Sequence, residues 1–170
     1  IAKVPDRIPS AAQPFDLRQV RLLEGPFQRA QELNRKYLLS LDVDRLLHTF
    51  RINAGLPTTA APLGGWEEPK GELRGHFTGH FMTACALMVA ATGDRELRAK
   101  GEAVVAGLAE CQAKLGTGYL SAYPEEFFDR VERQERVWAP YYTLHKIYAG
   151  LLDMHLHCGS ELALDVCRKF

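Results

Sequence analysis

Two histidines one helical turn apart open the stretch GHFTGHFMTACALMVAA, residues 75–91. His76 and His80 are followed by Phe77, Phe81, Ala84, Cys85 and Met88 at helical offsets. Residues three and four apart share one face of an α-helix, so the spacing predicts a short imidazole row beside an apolar stripe at a helix start. Imidazole donates or accepts a hydrogen bond and titrates near neutrality, which suits a polar ligand. The alternative is a structural histidine whose ring nitrogens are satisfied locally. The stretch APYYTLHKIYAGLLDMHLHCG, residues 139–159, repeats the chemistry. Its Tyr141, Leu144, His145, Tyr148, Leu151, Leu152 and His155 fall on one stripe, expected to face the core and to wall a polar pocket. For Tyr148 and His155 the competing reading is a core residue with its polar atom bonded nearby.

Other chemistries find less support. Two histidines at i and i+4 can share a zinc ion, but a site needs three or four ligands, and Phe77 stands where an HExxH motif would place glutamate. His155-x-His157-Cys158 is another cluster, with His157 expected toward solvent. No metal ligand is therefore assigned within the chain. Glu67, Glu68, Glu72, Glu125, Glu126 and Asp129 lie in predicted loops, and sequence alone does not show which of them meet in space. Glu125 and Glu126 after Pro124 equally suit a first helical turn. There is no G-x-S-x-G elbow, no recognisable Cys–His pairing and no glycine-rich phosphate loop. Cys85, Cys111, Cys158 and Cys167 form no CxxC pair and no disulfide framework is expected; Cys85 and Cys111, in apolar helical contexts, read as buried thiols.

Helices must position these residues. Gly25-Pro26 opens the first, with Phe27, Ala30, Leu33, Tyr37 and Leu41 as its apolar face. A second runs from about residue 43 to 54, with Asp42 as cap and Gly55 as stop. The histidine helix ends near Gly93, and Asp94 caps a fourth whose Leu97, Val104, Leu108, Cys111 and Leu115 point inward before Gly116. A fifth spans Pro140 to Cys158, and Ser160 caps a sixth. Phe15 to Leu23 partly alternates and predicts a short strand; residues 1–14, with Pro5, Pro9 and Pro14, read as an extended lead. The tight turns at Thr92-Gly93 and Gly159-Ser160 predict antiparallel hairpins. The connections 56–74 and 117–139 are far longer than the ~2–8 residues usual between bundled helices, and their aromatic content predicts folded loops over one end. Long loops at one end and tight turns at the other describe a mainly α fold, an αα-toroid, of which about six helices are present here.

With 46% hydrophobic and 25% charged residues, the 170-residue chain has the composition of an ordinary globular domain or a piece of one. Lys plus Arg and Asp plus Glu are both 21, which argues against a nucleic-acid partner. No apolar run approaches the ~20 residues of a membrane span, so no membrane partner is expected. The chain opens on Ile1 without a recognisable signal peptide, and the compartment stays open.

Four ordered segments carry a resemblance. VRLLEGPF (20–27), LRGHFTGHFMTACALMVAATGD (73–94), GYLSAYPEEFFDR (118–130) and VWAPYYTLHKIYAGLLD (137–153) are together similar to the N-terminal part of glycoside hydrolase family 127, the β-L-arabinofuranosidase family. The resemblance extends from about residue 15 to the end. It implies an (α/α)6 barrel followed by β-sandwich domains, and residues 15–170 as the N-terminal half of that barrel. It also implies retaining hydrolysis of β-L-arabinofuranosides by a zinc-bound cysteine thiolate with a glutamate as acid/base. Those catalytic and zinc residues lie in the second half of such barrels, so no catalytic residue and no zinc ligand carries over here. What carries over is an early substrate wall: His76, His80 and His145, with Trp66 and Tyr142. The loop with Trp66, Glu67 and Glu68 fits a sugar-facing position, because an aromatic face packs on the C–H side of a furanose. The implied partners are an arabinofuranoside-like carbohydrate and the remainder of the barrel, without which an edge of apolar stripes stays uncovered. Two other readings stay open: an αα-toroid sugar epimerase or isomerase using paired histidines for proton transfer, and a non-catalytic helical module that binds a carbohydrate or a protein.

Overall fold

The computed structural model describes residue 8 and residues 11–170. Most of the extended lead expected at 1–14 lies outside these residues; 11–14 form bends and irregular backbone. Among the described residues helix accounts for 65% and no strand occurs. Seven α-helices follow one another: α1 (Pro26–Ser40), α2 (Val43–Asn53), α3 (His76–Thr92), α4 (Arg95–Leu115), α5 (Glu126–Glu132), α6 (Pro140–Cys158) and α7 (Glu161–Lys169). No helix of the described residues is long and apolar enough to cross a membrane.

The helix boundaries follow from local capping chemistry. Asp42 accepts from Arg45 N, Asp94 from Glu96 N and Leu97 N, and Ser160 Oγ from Ala163 N, each satisfying amide donors that a helix start leaves free. Gly93, Gly116 and Gly159 end α3, α4 and α6 in the left-handed conformation. The strand expected at Phe15–Leu23 is corrected to a single 3-10 turn at Leu17–Gln19. Asp16 accepts from Arg18 N and bends the chain there, and the segment is exposed, with no neighbouring strand to complete a ladder. A short helix not foreseen as such, α5, carries Glu126 and Asp129 in its first turn.

The two-residue turns fold α3 on α4 and α6 on α7 as antiparallel hairpins. Side by side, α3 and α6 run parallel: Leu73 pairs with Thr143, and Thr83 Oγ1 donates to Asp153 at 2.7 Å. Both pairs are separated by 70 residues in sequence, so the two helices advance in step. Their surfaces meet at glycines. A Cβ added at Gly79 would lie 2.7 Å from Ile147 N and closer still to the Lys146 carbonyl, and one at Gly150 would collide with the Gly79 carbonyl. With α4 and α7 touching behind them and α2 packed on α4, the assembly is a partial α/α toroid.

Leu47, Phe50, Phe81, Met82, Leu108 and Met154 are at most 1% exposed and belong to one continuous core. Burying such a side chain is worth about 1.5–3 kcal/mol. Arg35 of α1 pairs with Asp94 and Glu96 at the start of α4. Two apolar faces are left open. On α1, Phe27, Leu33 and Tyr37, expected as its packing face, are exposed and only Leu38 is buried. On α6 the expected core stripe is corrected: Thr143, Ile147, Gly150, Leu151, Met154 and Cys158 are buried, whereas Tyr141, His145, Tyr148 and Leu152 are exposed. The flat approach of α3 selects the small and branched row of α6, which turns the tyrosine row to the open side.

Candidate functional site

Parallel packing brings the N-terminal ends of α3 and α6 together, and the long loops 56–74 and 117–139 lie over that end. Three contacts fasten them. Arg74 Nε donates to Ala122 O at 2.8 Å, Tyr123 Oη to Pro140 O at 2.6 Å, and Glu72 accepts Trp138 N at 2.8 Å and Arg130 Nη1 at 2.9 Å. The Arg74 guanidinium also lies over the Tyr123 and Phe127 rings, which stack at 4.7 Å. Burial pushes the Arg74 pKa down and that of Tyr123 up to about 12, so the junction is dry as well as bonded. Burial also opposes ionisation of Glu72, but the Trp138 N–H and Arg130 outweigh it and hold the carboxyl below its ordinary range.

The α3 start needs an outside cap. Gly75 adopts φ +96°, where a Cβ would also lie 2.7 Å from that of Ala122, and it offers no capping side chain. Glu67, buried at 8% exposure, fills the role: Oε2 accepts Gly75 N at 2.6 Å and Oε1 accepts Phe77 N at 2.9 Å. The same Oε1 lies 2.6 Å from His76 Nδ1, which is 2.8 Å from Leu73 O. Glu67, grouped in the sequence with Trp66 and Glu68 at a sugar-facing position, instead stands behind the wall.

The wall itself is aromatic. The His76 ring lies 5.8 Å from His80, 6.1 Å from Tyr142 and 6.3 Å from Trp66. Trp66, 68% exposed, meets Trp138 edge-on at 6.4 Å. Tyr142 Oη lies 3.4 Å from His80 Nε2, and Lys146 Nζ sits 5.0 Å over the Tyr142 ring. His145 is exposed one turn further along α6. Desolvation lowers the His80 pKa, with Lys146, His76 and His145 adding to the effect, so its neutral ring is favoured. Of the five residues expected at the wall, His76, His80, Trp66 and Tyr142 form one contact cluster, and His145 stands exposed one turn beyond Tyr142. Trp138 and Lys146, not singled out from the sequence as wall residues, complete the cluster, and Glu67, expected from the sequence to face the sugar, supports it from behind. The Pro140 helix start and the aromatic content of the loop pointed toward Trp138; nothing local pointed to the Glu67 role.

Such a surface offers flat apolar faces beside directed polar atoms, which is the pattern that binds sugars. A cavity of about 480 Å³ between Asp42, Arg45, Arg51 and residues 57–61 shares no residue with it. Other polar groups have structural partners: Tyr148 Oη donates to Cys167 O, and His155 Nδ1 lies 3.3 Å from Ser160 O. Among the described residues no three His, Cys, Asp or Glu side chains are arranged to hold a metal ion. The four cysteines are buried and free, and burial raises their thiols, Cys85 to about 12 and Cys111 and Cys167 to about 11.

Residues 19–170 match the family model of the β-L-arabinofuranosidase GH127 catalytic domain. No curated protein matches the chain.

Proposed function

The chain belongs to the β-L-arabinofuranosidase GH127 catalytic-domain family, and on that premise we propose that it supplies the early substrate wall of a retaining glycosidase acting on arabinofuranoside-like sugars. The family is one of glycoside hydrolases, so the partner class is carbohydrate; the finer substrate is the proposal. The supporting observation is the convergence of His76, His80, Tyr142 and Trp66 at the paired starts of α3 and α6. In this reading Trp66 and Trp138 stack on the C–H face of the sugar, while His76, His80, His145 and Tyr142 bond its hydroxyls.

The reacting groups are not assigned to these residues. The carboxylates that approach the wall, Glu67 and Glu72, are occupied by backbone amides, His76 and Arg130. The chain's cysteines do not supply a zinc-bound nucleophile, and a zinc ion in the complete enzyme is proposed to be held by other residues. The open faces of α1 and α6 are proposed to be covered by further helices of the toroid, because exposed apolar surface of that extent drives association. The 170 residues alone are then expected to bind a hydrophobic dye, self-associate and lack glycosidase activity.

Release of p-nitrophenol from p-nitrophenyl β-L-arabinofuranoside by the full natural product of the reading frame tests the assignment. Hydrolysis supports it. No hydrolysis, with interconversion of free sugars instead, would transfer the wall to an epimerase or isomerase.

A further inference from the structure

We infer that Glu67 is a positioning residue for His76: it fixes the ring in the Nδ1–H tautomer and thereby presents Nε2 as a bare acceptor for a sugar hydroxyl. Leu73 O is an acceptor only and lies 2.8 Å from Nδ1, so Nδ1 carries a proton. Glu67 Oε1 lies 2.6 Å from the same nitrogen as a close charge contact, placing negative charge beside the proton that Leu73 O accepts. Nε2 has no protein partner among the described residues and is not sealed from solvent. The ring is 8% exposed and framed by Trp66, His80 and Tyr142, so the opening lies on the wall.

The two oxygens of Glu67 are fixed by different amides, Gly75 N–H on Oε2 and Phe77 N–H on Oε1. The carboxylate therefore cannot rotate away from His76 without uncapping α3. A carboxylate behind a histidine selects which nitrogen is protonated, and the free nitrogen takes up the recognition. That one side chain both caps the helix and orients the imidazole also ties the wall geometry to the α3 start.

The inference rests on the proposed sugar-facing role of the wall, and the test separates the two. In the Glu67→Gln variant, one amide or the imidazole meets an NH2 group. With that NH2 turned toward Nδ1, the negative charge beside the Nδ1 proton is gone and Leu73 O alone supports it, so the Nδ1–H tautomer is weakened relative to Nε2–H. Histidine 15N spectra of the selectively labelled full natural product report the tautomer without any sugar. We expect Nδ1–H for His76 in the parent protein; an Nε2–H parent ring overturns the inference whether or not the variant folds.

A kinetic double-mutant cycle supplies the functional arm. Glu67→Gln is expected to raise KM about tenfold in the parent, the worth of one hydrogen bond, and less than twofold in a His76→Gln background. Equal effects in both backgrounds would reduce Glu67 to a helix cap and overturn the inference. If His76→Gln alone leaves KM unchanged, the sugar-facing reading falls, and with it the acceptor role, while the tautomer spectra still decide whether Glu67 sets the ring.

Discussion

Replacing Gly79 by alanine tests the packing that creates the wall. In an exposed helix this change stabilises by about 1 kcal/mol, because glycine is the poorer helix former. Here the sign should reverse. The new Cβ would lie 2.7 Å from Ile147 N, short of the ~3.5 Å of an ordinary contact by about 0.8 Å. The obstacle is α6 backbone, which cannot rotate aside, so α3 and α6 must separate. Overpacking of this kind costs about 1–3 kcal/mol, occasionally more. At roughly 2–4 °C per kcal/mol for a domain of this size, Tm should fall by about 2–12 °C. Separation also stretches the Thr83–Asp153 bond and the 3.4 Å approach of His80 to Tyr142. The assay is thermal unfolding of the full natural product by circular dichroism, with Gly107→Ala as comparison. A Cβ at Gly107 meets only the flexible Leu47 side chain, so repacking should absorb much of its effect. A Gly79→Ala protein as stable as the parent would refute the close backbone crossing.

His80 should titrate below the ordinary histidine range, and Lys146→Gln should move its midpoint part of the way back up, since desolvation remains the larger cause; histidine NMR reads both. Ligand binding that uses neutral His80 is then retained at neutral pH and lost as pH falls through the lowered pKa, and His80→Ala should weaken sugar binding by about tenfold, measured as KM. Because the Glu72 pKa is depressed, its hold on Trp138 should persist above the ordinary carboxylate range and fail only as pH falls below it, seen as a change in tryptophan fluorescence that Glu72→Gln produces at neutral pH. All four cysteines should resist a thiol reagent at pH 8 in the folded protein and react in denaturant; rapid labelling of Cys85 in the native state would contradict its burial.

Much of the helical frame was legible because its signals are local. Asp42, Asp94 and Ser160 each cap a helix from within three residues, and Gly93, Gly116 and Gly159 stop one. The histidine wall was legible for a similar reason: His76 and His80 sit in the first turns of one helix and Tyr142 in that of another. What escaped depends on contacts distant in sequence. The partial alternation of Phe15–Leu23 mimics a strand, but a strand requires a neighbour and none is there. The tyrosines and the buried glycine of α6 compete for the same helix, and only the approach of Gly79 shows which row packs inward. Glu67 reads as one of several loop carboxylates, and its task appears only when the loop folds it over Gly75 and His76.

The common advance of α3 and α6 separates two kinds of heritable change. One residue inserted into α6 ahead of Gly150 would rotate Tyr142 by about 100° relative to the glycine seam, and the wall would be lost in a single step. Insertions between Leu56 and Gly64, or on the outer side of the second loop, leave that seam untouched. Descendants of this sequence can therefore vary the loops around the histidine–aromatic cluster while inheriting the cluster itself unchanged.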